Sequence, residues 1–338
     1  MDSLSQAALG SAVGLAVMGR RTALWKAALI GAAFGTLPDL DAFIDHGDPI
    51  RNMTFHRAAS HSLFYLTILS PALAWLVSKL SRKAEHFKHW LAAIWLILIT
   101  HVLLDFMTIY GTQMAIPFSN YPFGVGSIFI IDPLYTLPLL FGIIAALIFY
   151  RSSGMRRNAL GLSLSTVYLA WTVLAQWYVE KITDDYLTQH DVTVEQRLVT
   201  PTPFNTLLWR VVVITPEGYA EGFYSLLDKT PQLNLKHFPR NEDLFDAVQG
   251  NWGAERMAWF THGFFKMSED DGKLMITDLR MGQEPFYSFT FVVAERVGDV
   301  WQAVIPEHIS ENPDIELALG WLGRRIGGDI VDPPWLVE

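Results

Sequence analysis

Residues 90–105 read WLAAIWLILITHVLLD, and this stretch decides the fold that we expect. Its only charged side chain is Asp105, and an apolar run of this length is typical of a membrane-spanning helix. His101 and Asp105 are one helical turn apart and share a helix face. A carboxylate at mid-membrane costs about 2.5–3.5 kcal/mol on insertion scales, so such pairs usually face a partner, a cavity or an ion. A simple packing contact between helices is the alternative.

Other apolar segments extend this reading to the whole first half of the chain. The long segments are residues 62–80, 90–110, 128–150 and 159–179. Two shorter segments, 4–18 and 24–37, are rich in glycine and alanine, so they span while tightly packed or form a shallow hairpin. We therefore predict a mainly α, polytopic membrane domain of about six transmembrane helices.

The charge balance changes near residue 180. Residues 1–180 contain 12 basic and 9 acidic side chains, whereas residues 181–338 contain 13 basic and 25 acidic ones. The acidic second half argues against a nucleic-acid partner, which needs a basic face. We predict a transmembrane domain over residues 1–180, a linker over residues 181–200 and a soluble, mainly antiparallel α+β domain over residues 201–338.

The second half is expected to contain strands and two short helices. The predicted strands are residues 204–214, 219–227, 257–267, 273–279 and 286–296, and the predicted helices are residues 244–248 and 315–325. A polar helix can also continue from the last span to about residue 196. The chain has no cysteine, which excludes disulfides, thiolate ligands and cysteine nucleophiles.

Most basic side chains of the first half lie in alternate connections between the segments. They are Arg20, Arg21, Lys26, Lys79, Arg82, Lys83, Lys88, Arg151, Arg156 and Arg157. By the positive-inside rule these connections are cytoplasmic, so residues 38–60, residues 111–127 and everything after residue 179 lie on the other side. No cleavable signal peptide is evident. We predict a multi-pass protein of the bacterial inner membrane with a periplasmic C-terminal domain.

The same orientation brings seven histidines and aspartates to the outer half of the membrane. They are Asp39, Asp41, His56, His61, His101, Asp105 and Asp132. In an extended chain Asp39 and Asp41 face the same way and can bind one cation. A solvated acidic loop is the alternative for this pair, and a helix cap before Pro133 is the alternative for Asp132.

Histidine nitrogens and carboxylate oxygens without sulfur suit zinc, or less specifically manganese or iron, and we expect one to three divalent ions. A carboxylate that binds no metal, Asp41 or Asp45, is the predicted general base. The expected function is hydrolysis of a phosphoester or lipid-related substrate at the outer face of the inner membrane. The alternatives are a transporter or ion-handling protein and a noncatalytic, metal-stabilised assembly protein.

Four motifs resemble the bacterial YdjM-like family of predicted membrane-bound metal-dependent hydrolases. They are DSLSQAALG at residues 2–10, PDLD at residues 38–41, HR with HS at residues 56–57 and 61–62, and HVLLD at residues 101–105. The resemblance spans roughly residues 1–150 and implies metal-dependent hydrolysis. The chain departs from the family pattern at two positions. Ala58 stands where a glycine commonly follows the His-Arg pair, and Gln6 stands where the family often has a histidine. A ligand role for Gln6 therefore stays open. HxxxD is also similar to part of the zinc site of bacterial phospholipase C, which implies phosphoester cleavage.

Overall fold

The computed structural model describes residues 1–149 and 151–336, and the chain forms two compact units. The first, here called the helical unit, contains Met1–Ile44, Phe55–Val173 and Pro203–Asn205. The second, here called the sheet unit, contains Asp45–Thr54, Leu174–Thr202 and Thr206–Glu338. The predicted order of a helical half followed by an antiparallel sheet domain is confirmed.

Seven helices cover most of the described chain before residue 190. They are α1 (Ser3–Met18), α2 (Leu24–Gly35), α3 (Pro49–Phe55), α4 (Leu63–Leu80), α5 (Phe87–Phe106), α6 (Pro133–Ile148) and α7 (Arg151–Gln189). Short 3-10 helices at Pro38–Phe43, Ala59–His61 and Ala84–His86 precede α3, α4 and α5. The first two of these 3-10 helices carry predicted site residues.

Three helical segments of the described residues are long and apolar enough to cross a membrane: Leu63–Leu80, Ala84–Phe106 and Ser152–Gln189. Ser3–Met18, Leu24–Gly35 and Pro133–Ile148 are apolar but shorter. By length and hydropathy the structure therefore supports three of the roughly six predicted spans.

Two of the predicted spans have different limits in the structure. The segment predicted at residues 128–150 becomes helical only at Pro133, because Asp132 caps the helix and proline is well suited to its first turn; Tyr150 lies outside the described residues. The segment predicted at residues 159–179 is part of the much longer α7. Its last turns, through Gln189, fall in the predicted linker. Val179, at the end of the predicted span, and Leu187, in the predicted linker, pack into the core of the sheet unit.

Helices α1 and α2 form a hairpin in which backbone meets backbone. A Cβ atom added at Gly10 would lie 2.2 Å from the carbonyl oxygen of Gly31, and one at Gly35 would lie 2.5 Å from that of Gln6. Only glycine permits such an approach. Both helices also pack against α5, so Gln6 and Gly35 come close to its polar residues.

The sheet unit contains two four-stranded antiparallel sheets and a two-stranded ribbon. The first sheet has the order β1 (Gln196–Pro201), β2 (Leu208–Thr215), β3 (Gly218–Ser225), β4 (Lys236–Phe238). The second has the order β10 (Val300–Ile309), β9 (Thr290–Val297), β6 (Lys273–Asp278), β5 (Phe265–Asp270), and β7 (Gly282–Gln283) pairs with β8 (Phe286–Tyr287). Helices α8 (Glu242–Asp246), α9 (Trp252–Phe260) and α10 (Ile315–Ile326) and a 3-10 helix at Pro334–Leu336 also belong to this unit.

The predicted strand at residues 257–267 is wrong in its first half. Asn251 accepts a hydrogen bond from the Ala254 amide and caps α9, which continues to Phe260, so the strand begins only at Phe265. Strands β1 and β10 were not predicted. Both lie at sheet edges, and β10 is largely solvent-exposed, so neither has the apolar pattern that marks a buried strand.

Candidate metal centre

Four of the seven predicted ligands meet inside the helical unit. Asp39, His61, His101 and Asp105 each offer a ligand atom, and these atoms all lie within 4.8 Å of one another. His61, His101 and Asp105 are buried, and Asp39 is partly exposed. We call these four residues the His/Asp cluster.

Each member of the cluster is fixed by the element that carries it. Asp39 lies in the 3-10 helix that follows α2, and His61 is the last residue of the 3-10 helix before α4. Ser62 then caps α4 by accepting a hydrogen bond from the Tyr65 amide at 3.1 Å. His101 and Asp105 project from α5 one turn apart, as their spacing predicts.

The hydrogen bonds of the two imidazoles determine which nitrogens face the cluster. His101 Nδ1 lies 2.7 Å from the Gly35 carbonyl oxygen, which can only accept, so Nδ1 carries the hydrogen. Ser60 Oγ donates its one hydrogen to Asp41 and is left to accept from His61 Nδ1 at 2.9 Å. The two Nε2 atoms therefore point into the cluster, 3.0 Å apart.

In this arrangement the nitrogen and oxygen atoms that can accept a hydrogen bond outnumber the hydrogen-bond donors that face them. Asp105 Oδ2 lies 3.1 Å from His61 Nε2 and 3.3 Å from His101 Nε2. Asp39 Oδ1 lies 3.4 and 3.5 Å from the same nitrogens and has no hydrogen-bond partner among the described residues. Such a convergence needs positive charge, which protons on the imidazoles or a metal ion can supply. Two nitrogens and two carboxylates suit a divalent metal ion.

Burial alone would raise the pKa of Asp39, but contacts with His101 and His61 outweigh burial and lower its pKa below the ordinary value. Asp39 is therefore an anion at neutral pH. An ionised carboxylate is the form that binds a metal ion.

The second carboxylate oxygen of Asp105, Oδ1, contacts donors from three residues. Asp105 Oδ1 accepts from Gln6 Nε2 at 3.0 Å and from the amino group of Met1, and it lies 3.2 Å from Arg57 Nη2. Gln6 Nε2 also donates to the His101 carbonyl oxygen at 3.2 Å. Gln6 Oε1 and Arg57 Nε are buried without a hydrogen-bond partner among the described residues. Gln6 thus contacts a cluster ligand through its amide nitrogen.

Asp41 points away from the cluster and supports it from outside. Asp41 Oδ1 lies 2.7 Å from His56 Nδ1, and Oδ2 accepts from the Arg57 amide at 3.0 Å and from Ser60 Oγ. Asp41 Oδ2 is also 3.7 Å from His61 Nδ1. Burial would raise the pKa of Asp41, but the bonds from His56 and Ser60 outweigh it and lower the pKa.

The expectation that Asp39 and Asp41 face one cation is wrong, for a simple reason. The expectation assumes extended backbone, whereas residues Pro38–Phe43 form a 3-10 helix. With three residues per turn, side chains two positions apart diverge. Asp39 therefore joins the cluster, and Asp41 joins His56.

Two other predicted site residues have different partners. Asp132 caps α6, accepting from the Leu134 amide at 2.9 Å, and its second oxygen accepts from Tyr168 Oη at 2.8 Å. Asp45 belongs to the sheet unit, where it accepts from the Gly47 amide at 2.9 Å and from Asn52 Nδ2 at 3.2 Å. Neither residue is among the four that the structure brings together.

Sequence reasoning gave no role to Arg57, Ser60 or Gly35, which orient the cluster. Arg57 and Ser60 lie between His56 and His61, so their closeness to a predicted ligand motif was a usable signal. Gly35 contributes its backbone carbonyl group, which every residue type has, so the sequence gives no signal for this role.

Helices suited to a membrane and a buried His/Asp cluster together define a membrane protein with a candidate metal centre. The chain belongs to the YdjM inner membrane protein family, whose model matches residues 1–179. This match contains all four residues of the cluster and most of the helical unit.

The chain is also similar to the "Uncharacterized protein YfhP" of Bacillus subtilis (strain 168). The two are 25% identical over 314 residues, which cover 87% of this chain and 90% of the relative. The similarity thus includes much of the sheet unit, beyond the end of the family match. No solved structure matches the chain.

Proposed function

We propose that the protein is an integral membrane, metal-dependent hydrolase that cleaves a phosphoester or lipid-related substrate. The observation that carries this proposal is the convergence of His61 Nε2 and His101 Nε2, 3.0 Å apart, on two carboxylates. Asp39, His61, His101 and Asp105 would hold one divalent ion, with zinc as the favoured metal. The bound ion would activate a water molecule and neutralise charge on a phosphoryl oxygen.

Asp41 and His56 are the proposed proton-transfer pair. Asp41 accepts from His56 Nδ1 and so leaves His56 Nε2, on a side chain that is 20% exposed, to exchange a proton with substrate or water. In this arrangement Asp41 orients the imidazole. The earlier assignment of Asp41 as general base is thereby refined, because both of its oxygens already accept hydrogen bonds.

Hydrolysis is tested with the purified protein, in detergent for the soluble probe and reconstituted in vesicles for the lipid probe. The probes are bis(p-nitrophenyl) phosphate and vesicles of phosphatidylethanolamine and phosphatidylglycerol, each with and without zinc or manganese. We expect metal-dependent turnover in the wild type. His61→Ala should abolish this turnover, and His56→Gln should reduce it and change its pH profile. Bound metal without turnover of either probe would favour the noncatalytic assembly protein, and metal flux across sealed vesicles would favour the transporter.

We also propose a topology of six crossings. Helices α1, α2 and α6 would cross together with α4, α5 and α7, tolerated at their shorter length by tight packing of the kind seen at Gly10. The basic connections would be cytoplasmic, and the sheet unit would lie in the periplasm.

The natural absence of cysteine makes this topology directly testable. In intact spheroplasts, a membrane-impermeant maleimide should label Glu217→Cys, in the turn between β2 and β3, and should not label Lys83→Cys, in the connection between α4 and α5. The reverse pattern would invert the proposed orientation.

A further inference from the structure

The 3-10 helix that carries Asp39 has a second, apolar edge. Leu40, Phe43 and the following Ile44 are all exposed, and Phe43 is 87% exposed. Leu40 and Phe43 are three residues apart, so the three-residue turn places them on the same side. This edge, here called the apolar lip, consists of Leu40, Phe43 and Ile44. Large apolar side chains this exposed in consecutive turns are unusual for a water-facing loop.

A second set of exposed apolar side chains lies where α4 begins. Phe64 and Tyr65 occupy the first turn of α4, and Phe64 contacts the 79%-exposed Phe118 edge-on, with ring centroids 5.3 Å apart. The loop that carries Phe118 is fixed there because Ser62 Oγ donates to the Ile116 carbonyl and the Leu63 amide donates to the Met114 carbonyl. These aromatics therefore form a fixed band next to His61.

The aromatic band continues into a surface that faces lipid. Along α4, Ile68 and Leu69 follow Phe64 and Tyr65 at four-residue spacing, and both are exposed. Helix α4 is one of the segments long and apolar enough to cross a membrane. An exposed apolar stripe on such a helix faces acyl chains, and aromatic side chains at its end mark the membrane boundary.

Hydrogen bonds connect the apolar lip to this boundary. Asp41, within the 3-10 helix of the lip, accepts hydrogen bonds from the Arg57 amide and from Ser60 Oγ, just before α4. The 3-10 helix of the lip also packs against the one at Ala59–His61, which packs against α4. The lip thus lies at the depth where α4 leaves the membrane. On the same 3-10 helix Asp39 joins the cluster, whereas the three residues of the lip are exposed.

We propose that the apolar lip inserts into the boundary region of the bilayer, so that the His/Asp cluster receives its ligand from the membrane as a lipid headgroup. The occupant of the lip is bilayer lipid, because the 3-10 helix of the lip packs, through the one at Ala59–His61, against the helix that carries the lipid-facing stripe. Apolar side chains backed by polar ones are the pattern of interfacial segments. The headgroup part of this inference rests on the proposed hydrolase function, whereas insertion of the lip does not.

Single cysteines in the cysteine-free chain allow a direct depth measurement. Phe43→Cys and Leu40→Cys would carry nitroxide labels in full-length protein reconstituted in phosphatidylethanolamine and phosphatidylglycerol vesicles. Ile68→Cys provides the lipid-facing reference, and Glu217→Cys, in an exposed turn, provides the aqueous reference. Collision rates with oxygen and with a neutral nickel chelate then report the surroundings of each label, and a thermal melt confirms the fold.

Both lip labels are expected to collide with oxygen more than with nickel, as the Ile68 label does. Lip labels that match the Glu217 label would overturn the proposal. Labels shielded from both reagents would indicate that protein covers the lip, which would also overturn it.

A second experiment separates insertion from catalysis. In Phe43→Asp, hydrolysis of vesicle lipid should fall at least about tenfold, while hydrolysis of soluble bis(p-nitrophenyl) phosphate should stay unchanged. Equal loss on both probes would contradict delivery from the membrane. If the wild type hydrolyses neither probe, the proposed function fails, and the label measurement still decides whether the lip inserts.

Discussion

Each unit of the protein buries a cluster of charged side chains, and the two clusters are satisfied in different ways. In the sheet unit Arg210 pairs with Glu221 and also donates to the Leu279 carbonyl oxygen at 2.7 Å. Lys266 donates to both oxygens of Glu284 at 2.7 and 2.8 Å, and Tyr219 donates to the same carboxylate. These acids and bases neutralise one another.

The His/Asp cluster of the helical unit is not completed by its own side chains. Its two Nε2 atoms face each other, and Asp39 Oδ1 has no hydrogen-bond partner among the residues that the structure describes. Gln6 Oε1 and Arg57 Nε, beside Asp105, are also unsatisfied within that part of the chain. Buried polar atoms normally find partners, so a self-completed cluster indicates a structural role and an incomplete one indicates a ligand.

The largest effect is expected when the completed cluster is broken. Glu221→Ala leaves Arg210 buried without its carboxylate, which should cost about 3–5 kcal/mol of unfolding free energy. Denaturant unfolding, monitored by fluorescence of the sheet unit, measures the loss of unfolding free energy. Glu269→Ala is the control, because its pair with Arg296 is partly exposed and worth at most about 1 kcal/mol. A Glu221→Ala protein as stable as this control would contradict a structural role.

Metal removal should produce the next largest effect, and only in the helical unit. At free metal about a hundredfold above its Kd, binding stabilises the folded state by about 2.7 kcal/mol, so a strong chelator should lower the melting temperature of the wild type. His101→Ala should have the same melting temperature with and without the chelator. A chelator shift of equal size in His101→Ala would place the metal elsewhere.

A smaller effect is expected from Ser60→Ala. The substitution removes the acceptor that fixes the tautomer of His61, and loss of such a supporting bond weakens metal affinity by about 10- to 100-fold. Competition against a chelating dye gives the Kd. Ser70→Ala is the matched control, because Ser70 is buried in α4 and donates to the Leu66 carbonyl oxygen. Equal affinities in the two variants would argue against the supporting role.

The smallest effect distinguishes a cap from a ligand at Asp132. Loss of the cap in Asp132→Ala should destabilise the protein by about 1 kcal/mol and leave metal affinity unchanged. Thermal melting and dye competition on the same preparation measure both quantities. A fall in metal affinity as large as that in His61→Ala would make Asp132 a ligand after all.

Features set by a local period could be predicted from the sequence. His101 and Asp105 share a helix face because four residues make about one turn, and α5 confirms their placement. His61 and Asp39 required more, namely an orientation assigned from the basic side chains. Both residues lie in the cluster.

Features that depend on tertiary contacts or on an unforeseen backbone could not be predicted. The 3-10 helix separates Asp39 from Asp41, and Pro38 suits the first turn of a helix as well as extended chain, so the sequence PDLD does not decide between the two. The acceptor that fixes His101 is the backbone carbonyl oxygen of Gly35, far away in sequence. In the sheet unit, the edge strands β1 and β10 are stabilised by pairing with β2 and β9 more than by their own apolar pattern.

The central claim is that the His/Asp cluster binds a metal ion, and elemental analysis of detergent-purified protein tests it most directly. Wild type should contain a stoichiometric divalent metal ion, most simply zinc, and folded His61→Ala, His101→Ala and Asp105→Ala should lose it. His89→Ala, which removes a histidine outside the cluster, should retain it. Folded wild type that holds no metal after reconstitution, or variants that hold as much as wild type, would contradict the account.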